Sequence, residues 1–273
     1  TEKEGEALLL AQDPIALGRE ADAVRRARFG NCTTFIVDRN INYTNICRNE
    51  CSFCAFYRRA DAADAYLLSY EEILDKARET VEAGGTQLMI QGGLHPELGL
   101  AYYEEMLRRL KREFPMLTIH SFTATEILYF AEKAGLSVEE TLKRLQAAGL
   151  DSLPGGGAEI LVDRIRRKIA PKKIMTDDWL RIMKAAHTIG VESTATMVIG
   201  FGETMADRIE HMEKIRRLQD ETGGFRAFIT WTFQPGNTEL GGEKASSWDY
   251  LTTLALTRLY LDNIAHIQGS WVT

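Results

Sequence analysis

Three of the chain's four cysteines fall within one short stretch, NICRNECSFCAFYR (45–58), as Cys47, Cys51 and Cys54. The spacing is C-x3-C-x2-C, and each thiol has polar or aromatic neighbours. Structural zinc usually takes four protein ligands in two knuckles. No second cysteine pair completes such a set here, and the five histidines (95, 120, 187, 211 and 266) are distant in sequence. Three thiolates suit a [4Fe–4S] cluster that leaves one iron without a protein ligand, open to an exogenous chelator. Three alternatives stay open: a zinc site completed by His95 or His120, an electron-transfer cluster with a fourth ligand, and three buried inert thiols. Arg48, Arg58 and Arg59 offer positive charge to an anionic cluster, or are solvated. Phe53 and Phe56 shield it, or merely pack the loop. Cys32 reads as a small apolar residue opening the first strand.

These residues need a scaffold, and the hydrophobic pattern supplies one. Strand-like stretches lie at 33–43, 86–93, 118–124, 152–157, 192–200, 227–234 and 267–272. Helix-period segments such as 69–84, 101–114, 176–190 and 205–224 separate them. In the third of these, Thr176 and Asp177 are capping candidates and Gly190 is the expected C′ residue. Strands alternating with helices predict an α/β fold, a (β/α) TIM-type barrel or part-barrel with about seven parallel strands. An N-terminal helical segment (1–30) precedes a barrel domain (31–273). In such barrels ligands gather at the C-terminal ends of the strands. The cysteine loop, QGG (91–93), PGGG (154–157), GFGE (200–203) and QPGN (234–237) all fall there.

Composition excludes several classes. A net charge of −6 and a pI near 5.5 argue against a nucleic-acid surface. No apolar run approaches the roughly 20 residues of a membrane span. The opening TEKEGEALLLAQDP is acidic, so no secretory signal is expected. Sparse cysteines predict reduced thiols and a cytoplasmic protein. The first residue is Thr, which is compatible with trimming.

The cysteine spacing, with Phe53 before the third thiol, resembles the radical S-adenosylmethionine (SAM) superfamily. Gln91-Gly92-Gly93 is similar to its Gly-Gly-Glu element, without the Glu. Residues 196–203 resemble its G-x-I-x-G-x-x-E element, with Thr196 in place of the first Gly and Gly200 and Glu203 in register. By position Glu159 and Lys173 are candidates for the SAM ribose and carboxylate. DRNINYTNIC, CAFYRR, LPGGGAEILVDR, LQDETGGFRAFITWTFQPGNTEL and YLDNIAHIQGSWV resemble the family of dehypoxanthine futalosine cyclases of the futalosine route to menaquinone. Phe201 stands where that family usually has His. Members usually continue beyond SWVT, so a truncated or short member is expected.

The resemblance implies two cofactors, a [4Fe–4S] cluster and SAM, and a one-electron donor such as flavodoxin or ferredoxin. It implies that a 5′-deoxyadenosyl radical removes the ribose C4′ hydrogen of dehypoxanthine futalosine, whose carbon radical then closes a ring onto the benzoate. Loss of an electron and a proton completes the step. His95, His120, Glu126 and Glu203 are the candidate proton acceptors. Glycine permits close approach to the nucleotide, so bulk at Gly92 or Gly93 is expected to impair SAM binding more than folding. Competing expectations are a sister radical SAM enzyme (aminofutalosine synthase or the deazaflavin FO synthase subunit), a zinc-stabilised barrel enzyme, and a cluster-bearing scaffold without turnover.

Overall fold

The computed structural model describes residues 1–10 and 13–270. Seven parallel strands form one sheet in chain order: β1 (Asp38–Asn42), β2 (Gln87–Gln91), β3 (Thr118–Ser121), β4 (Ser152–Leu153), β5 (Glu192–Ile199), β6 (Phe225–Thr232) and β7 (His266–Gln268). Every neighbouring pair is parallel, and β1 and β7 are the edges, so the sheet is a curled part-barrel. The helices are α1 (Glu2–Leu10), α2 (Pro14–Phe29), α3 (Tyr70–Glu82), α4 (Leu100–Glu113), α5 (Ala124–Ala134), α6 (Val138–Ala148), α7 (Asp163–Ile169), α8 (Thr176–Thr188), α9 (Met205–Thr222) and α10 (Ser247–Tyr260). β3–β4 and β4–β5 are each joined by two helices. Leu88, Ile90, Leu107, Ile127, Leu142, Ile182 and Phe228 are buried in the core between sheet and helices.

Local chemistry sets the helix starts. Ser69/Glu72, Thr123/Glu126 and Thr204/Asp207 are capping boxes opening α3, α5 and α9. Thr176 and Asp177 do not cap α8. Met175 holds the cap position, and Asp163 accepts from the backbone N–H and hydroxyl of Thr176 instead. Gly190 does take the positive φ expected after that helix, +81°.

Several strands are shorter than the apolar runs that announced them. β1 starts at Asp38, and Phe35, Ile36 and Val37 are exposed, because this edge has no partner on its outer side among the described residues. Cys32 consequently lies outside any strand and is exposed, not a buried strand residue. β4 keeps only Ser152 and Leu153, since Pro154 and three glycines turn the chain away. Residues 271 and 272 of the last expected strand lie outside the described residues.

Candidate active site

The loop after β1 is tied at both ends before any ligand is considered. Cys47 N–H donates to Arg58 O at 3.0 Å and Arg58 N–H to Asn45 O at 2.7 Å. Cys54 N–H donates to Cys51 O at 3.0 Å, making the tight turn that x2 spacing allows. Ser52 donates to Ile169 O from both its N–H (3.0 Å) and its hydroxyl (2.9 Å), and accepts from Leu240 N–H at 2.8 Å. Cys51 is buried, and Cys47 and Cys54 are half-buried.

Among the described residues, no three His, Cys, Asp or Glu side chains converge to hold a single ion. Three free thiols on one loop suit a polynuclear group in which each would ligate its own iron. Burial pushes the Cys51 thiol up to about 12; a coordinating metal deprotonates such a thiol outright. The donor set fits the cluster the spacing implies.

The surroundings of the loop differ in part from expectation. Phe53 packs inward against Phe201, centroids 5.3 Å apart, and Phe201 against Phe233 at 5.0 Å. Phe201, where the resembled family has His, thus extends an aromatic wall. Phe56 is 70% exposed and shields nothing. The three arginines are engaged elsewhere: Arg48 lies over Tyr129, Arg58 donates to Asp64, and Arg59 faces Asp61 in solvent. Two cations, Lys173 and Arg166, act on Cys51 instead, and Lys173 Nζ lies 5.4 Å from the Phe53 ring centroid.

Lys173 and Glu159, the two residues placed only by position, meet. Nζ is 2.7 Å from Oε1, both side chains are nearly buried, and Glu159 takes a φ of +42° to get there. Burial pulls the ammonium down, yet Glu159 and Cys51 together hold it above its usual range. Arg166, buried on α7, stands 3.6 Å from Glu159 Oε2 and donates to the carbonyls of Gly157, Ala158 and Ile174. Sequence reasoning missed Arg166. Its signal was an arginine between Ile165 and Ile169 on a short amphipathic helix.

The glycine turns pack against protein. A Cβ on Gly92 would lie 2.6 Å from the Tyr43 ring, and one on Gly93 only 2.2 Å from Ile46 O and 2.8 Å from Cys47 Cβ. Gly93 is therefore close to the cysteine loop, and bulk there displaces the loop itself. A Cβ on Gly155 would lie 2.6 Å from Ala195 Cα, and Gly155 O accepts from the Thr196 hydroxyl at 2.7 Å. A Cβ on Gly156 would lie 3.4 Å from Gln91 Oε1, so the turns after β2 and β4 are neighbours. Gly200 has a φ of +106°, and its N–H and that of Phe201 are held by Glu203. Glu203 is itself clamped by buried Arg208. Besides Glu159, the described non-glycine residues with positive φ are Glu50, Phe122 and Asn237, all in loops after strands. Strain of this kind clusters at functional sites.

The four candidate proton acceptors are not brought together. His120 lies within β3, its Nδ1 2.7 Å from Ser152 Oγ, and burial and Arg226 lower it to about 3. His95 Nδ1 accepts from Glu97 N–H at 3.1 Å. Glu203 and Glu126 are saturated with donors.

Comparison with known proteins accords with this geometry. Residues 41–215 match the model of the radical SAM superfamily, and residues 222–273 that of the CofH/MqnC C-terminal region. The chain is 52% identical over 275 residues to cyclic dehypoxanthine futalosine synthase of Streptomyces coelicolor, covering 98% of this chain and 69% of the relative. It is 48% identical over 242 residues to the synthase of that name from Halalkalibacterium halodurans, covering 88% and 65%. Aminodeoxyfutalosine synthase of Thermus thermophilus is 41% identical over 276 residues, covering 99% and 74%. The chain thus spans about two thirds of the length of the two futalosine synthases. Among solved structures, methylornithine synthase superposes with a TM-score of 0.74 at 18% identity, over 100% of this chain and 82% of that one, a likeness of fold.

Proposed function

Because this chain belongs to the radical SAM superfamily, we propose that it is the enzyme that converts dehypoxanthine futalosine to cyclic dehypoxanthine futalosine in menaquinone biosynthesis. The observation that carries this reading is the 52% identity to a synthase of that name along nearly the whole chain. Cys47, Cys51 and Cys54 would hold a [4Fe–4S] cluster. SAM would lie across the strand ends against Phe53, Gln91, Gly92, Gly93, Thr196 and Gly200, with Glu159 and Lys173 toward its polar groups. When bound, cluster and SAM would supply the one-electron radical chemistry that removal of the substrate's ribose C4′ hydrogen requires.

The chain's own residues do the rest. A primary carbon radical attacks most C–H bonds it meets, so selectivity depends on holding one hydrogen in contact distance. Close-packed turns at Gly92, Gly93 and Gly155 leave the strand ends little room to move. The Phe53–Phe201–Phe233 wall excludes water beside the cysteine loop. The nearly buried Lys173 ammonium sets a positive charge by Cys51, which favours an anionic cluster and a carboxylate. This reading puts the protein in the cytoplasm, fed by a low-potential one-electron donor such as flavodoxin or ferredoxin. No helix among the described residues is long and apolar enough to cross a membrane.

Anaerobically reconstituted protein given dehypoxanthine futalosine, SAM and dithionite is the test. Mass spectrometry is expected to show one dehydrogenated, ring-closed product and 5′-deoxyadenosine. Turnover only with a second, aromatic co-substrate would instead assign a sister activity.

A further inference from the structure

The superfamily's Gly-Gly-Glu element lacks its Glu here, since Leu94 follows Gly93. A carboxylate nevertheless reaches the same turn from another element. Glu126, on α5, is 1% exposed. Its Oε1 accepts from Gly92 N–H at 3.0 Å and from the Tyr43 hydroxyl at 2.8 Å. Its Oε2 accepts from the N–H (2.7 Å) and hydroxyl (2.9 Å) of Thr123. One side chain thus joins the residue after β1, the turn after β2 and the cap of α5. The preceding residue, Phe122, takes a φ of +64° as the chain enters that cap.

The consequence runs onward along the chain. Gly92 is pressed against the Tyr43 ring, and Gly93 against the Ile46 carbonyl and Cys47. Gly93 N–H also donates to Thr44 O at 3.0 Å. Fixing the Gly92 amide therefore fixes the turn that lies against the cysteine loop. On the reading above, we infer that Glu126 is a positioning residue, not the proton acceptor: it sets the Gln91-Gly92-Gly93 turn for the SAM amino acid group in place of the missing Glu. Each of its carboxylate oxygens already accepts two hydrogen bonds from within the protein, which is the geometry of a structural tie.

Glutamine at this position cannot satisfy the same partners. Whichever way the amide turns, its NH2 faces a backbone N–H, of Gly92 or of Thr123, and one buried donor loses its acceptor. Aspartate keeps a carboxylate at the cap but falls one methylene short of Gly92. The test uses reconstituted wild type, E126Q, E126D and Y43F. Its readouts are iron content, SAM dissociation constant by calorimetry, kcat and KM, and hydrogen exchange of the 88–94 peptide.

E126Q and E126D are expected to keep their iron, weaken SAM binding about tenfold (1.4 kcal/mol), and exchange the 88–94 amides faster. Their kcat at saturating SAM is expected to stay within about threefold of wild type. Y43F leaves the Gly92 acceptor in place, so its SAM affinity is expected to move less than about twofold. E126D carries the test should E126Q fail to fold. Unchanged SAM affinity and exchange in both Glu126 variants overturn the inference, as does a kcat collapse with normal SAM binding, the mark of a base. An equal loss in Y43F overturns it too, because burial alone would then be the cause. Wild type that binds no SAM would refute the proposed function, which the Glu126 variants by themselves do not.

Discussion

Gly93→Ala is a one-carbon perturbation whose consequence follows from distances. The new Cβ would lie 2.2 Å from Ile46 O, 2.7 Å from Ile46 C and 2.8 Å from Cys47 Cβ, where ordinary contact begins at 3.4 Å. Backbone must therefore retreat by roughly 1 Å, since interiors packed at crystal density do not absorb such an overlap. Overpacking of this kind costs about 1–3 kcal/mol, and domains have about 5–15 kcal/mol of stability, so the fold survives. Ligation does not tolerate the movement, because ligand distances hold to about 0.2 Å. Gly99→Ala serves as control, for nothing lies within 4 Å of its Cβ. Iron and sulfide per chain after anaerobic reconstitution are expected to fall severalfold in Gly93→Ala and to stay near wild type in Gly99→Ala. Full iron with an unshifted melting curve in Gly93→Ala would refute the coupling of the glycine turn to the cysteine loop.

Cys51→Ala removes a buried thiol without burying a polar group. It is expected to lose iron and SAM cleavage yet keep a cooperative melt; retained cleavage would contradict the role. Lys173→Met strands the nearly buried Glu159 with only Arg166 at 3.6 Å. Breaking such a pair costs about 3–5 kcal/mol, so a strongly lowered denaturation midpoint is expected, and an unchanged one would count against the pair. His120 and His211 are buried, and burial lowers each to about 3. Their folded pKa values lie below the unfolded one, so their contribution is complete above about pH 6.5. It is lost as pH falls from there toward 3, each unfolded histidine taking a proton worth about 1.4 kcal/mol per pH unit. Urea midpoints are expected to drop between pH 7 and 5; a flat profile would contradict neutral burial.

Much of this was legible because period and punctuation agree. Strand-to-helix alternation placed all seven strands, and the cysteine spacing marked the one loop whose thiols could bind a cluster. Strand lengths were not legible. The 33–37 run is apolar yet exposed, since edge position depends on tertiary pairing that periodicity does not encode. Phe53 and Phe56 are the same residue type three positions apart, yet Phe53 is half-buried against Phe201 and Phe56 is exposed, a difference that spacing alone does not carry. Glu159 and Lys173 meet where Arg166 ties the carbonyls of Gly157 and Ala158 to that of Ile174, a contact between segments that one-dimensional spacing cannot express. Glu126 was a candidate base because it follows a strand; its four donors, two of them from Tyr43 and Gly92, depend on contacts that one-dimensional spacing does not carry.

The central claim is that three thiolates bind four irons and leave one for SAM. Iron analysis with Mössbauer and electron paramagnetic resonance spectra of the reconstituted protein, before and after adding SAM, addresses it directly. Four irons per chain and a SAM-dependent change confined to one of them are expected. A single bound metal ion, or a cluster whose four irons all carry protein ligands and ignore SAM, would contradict it.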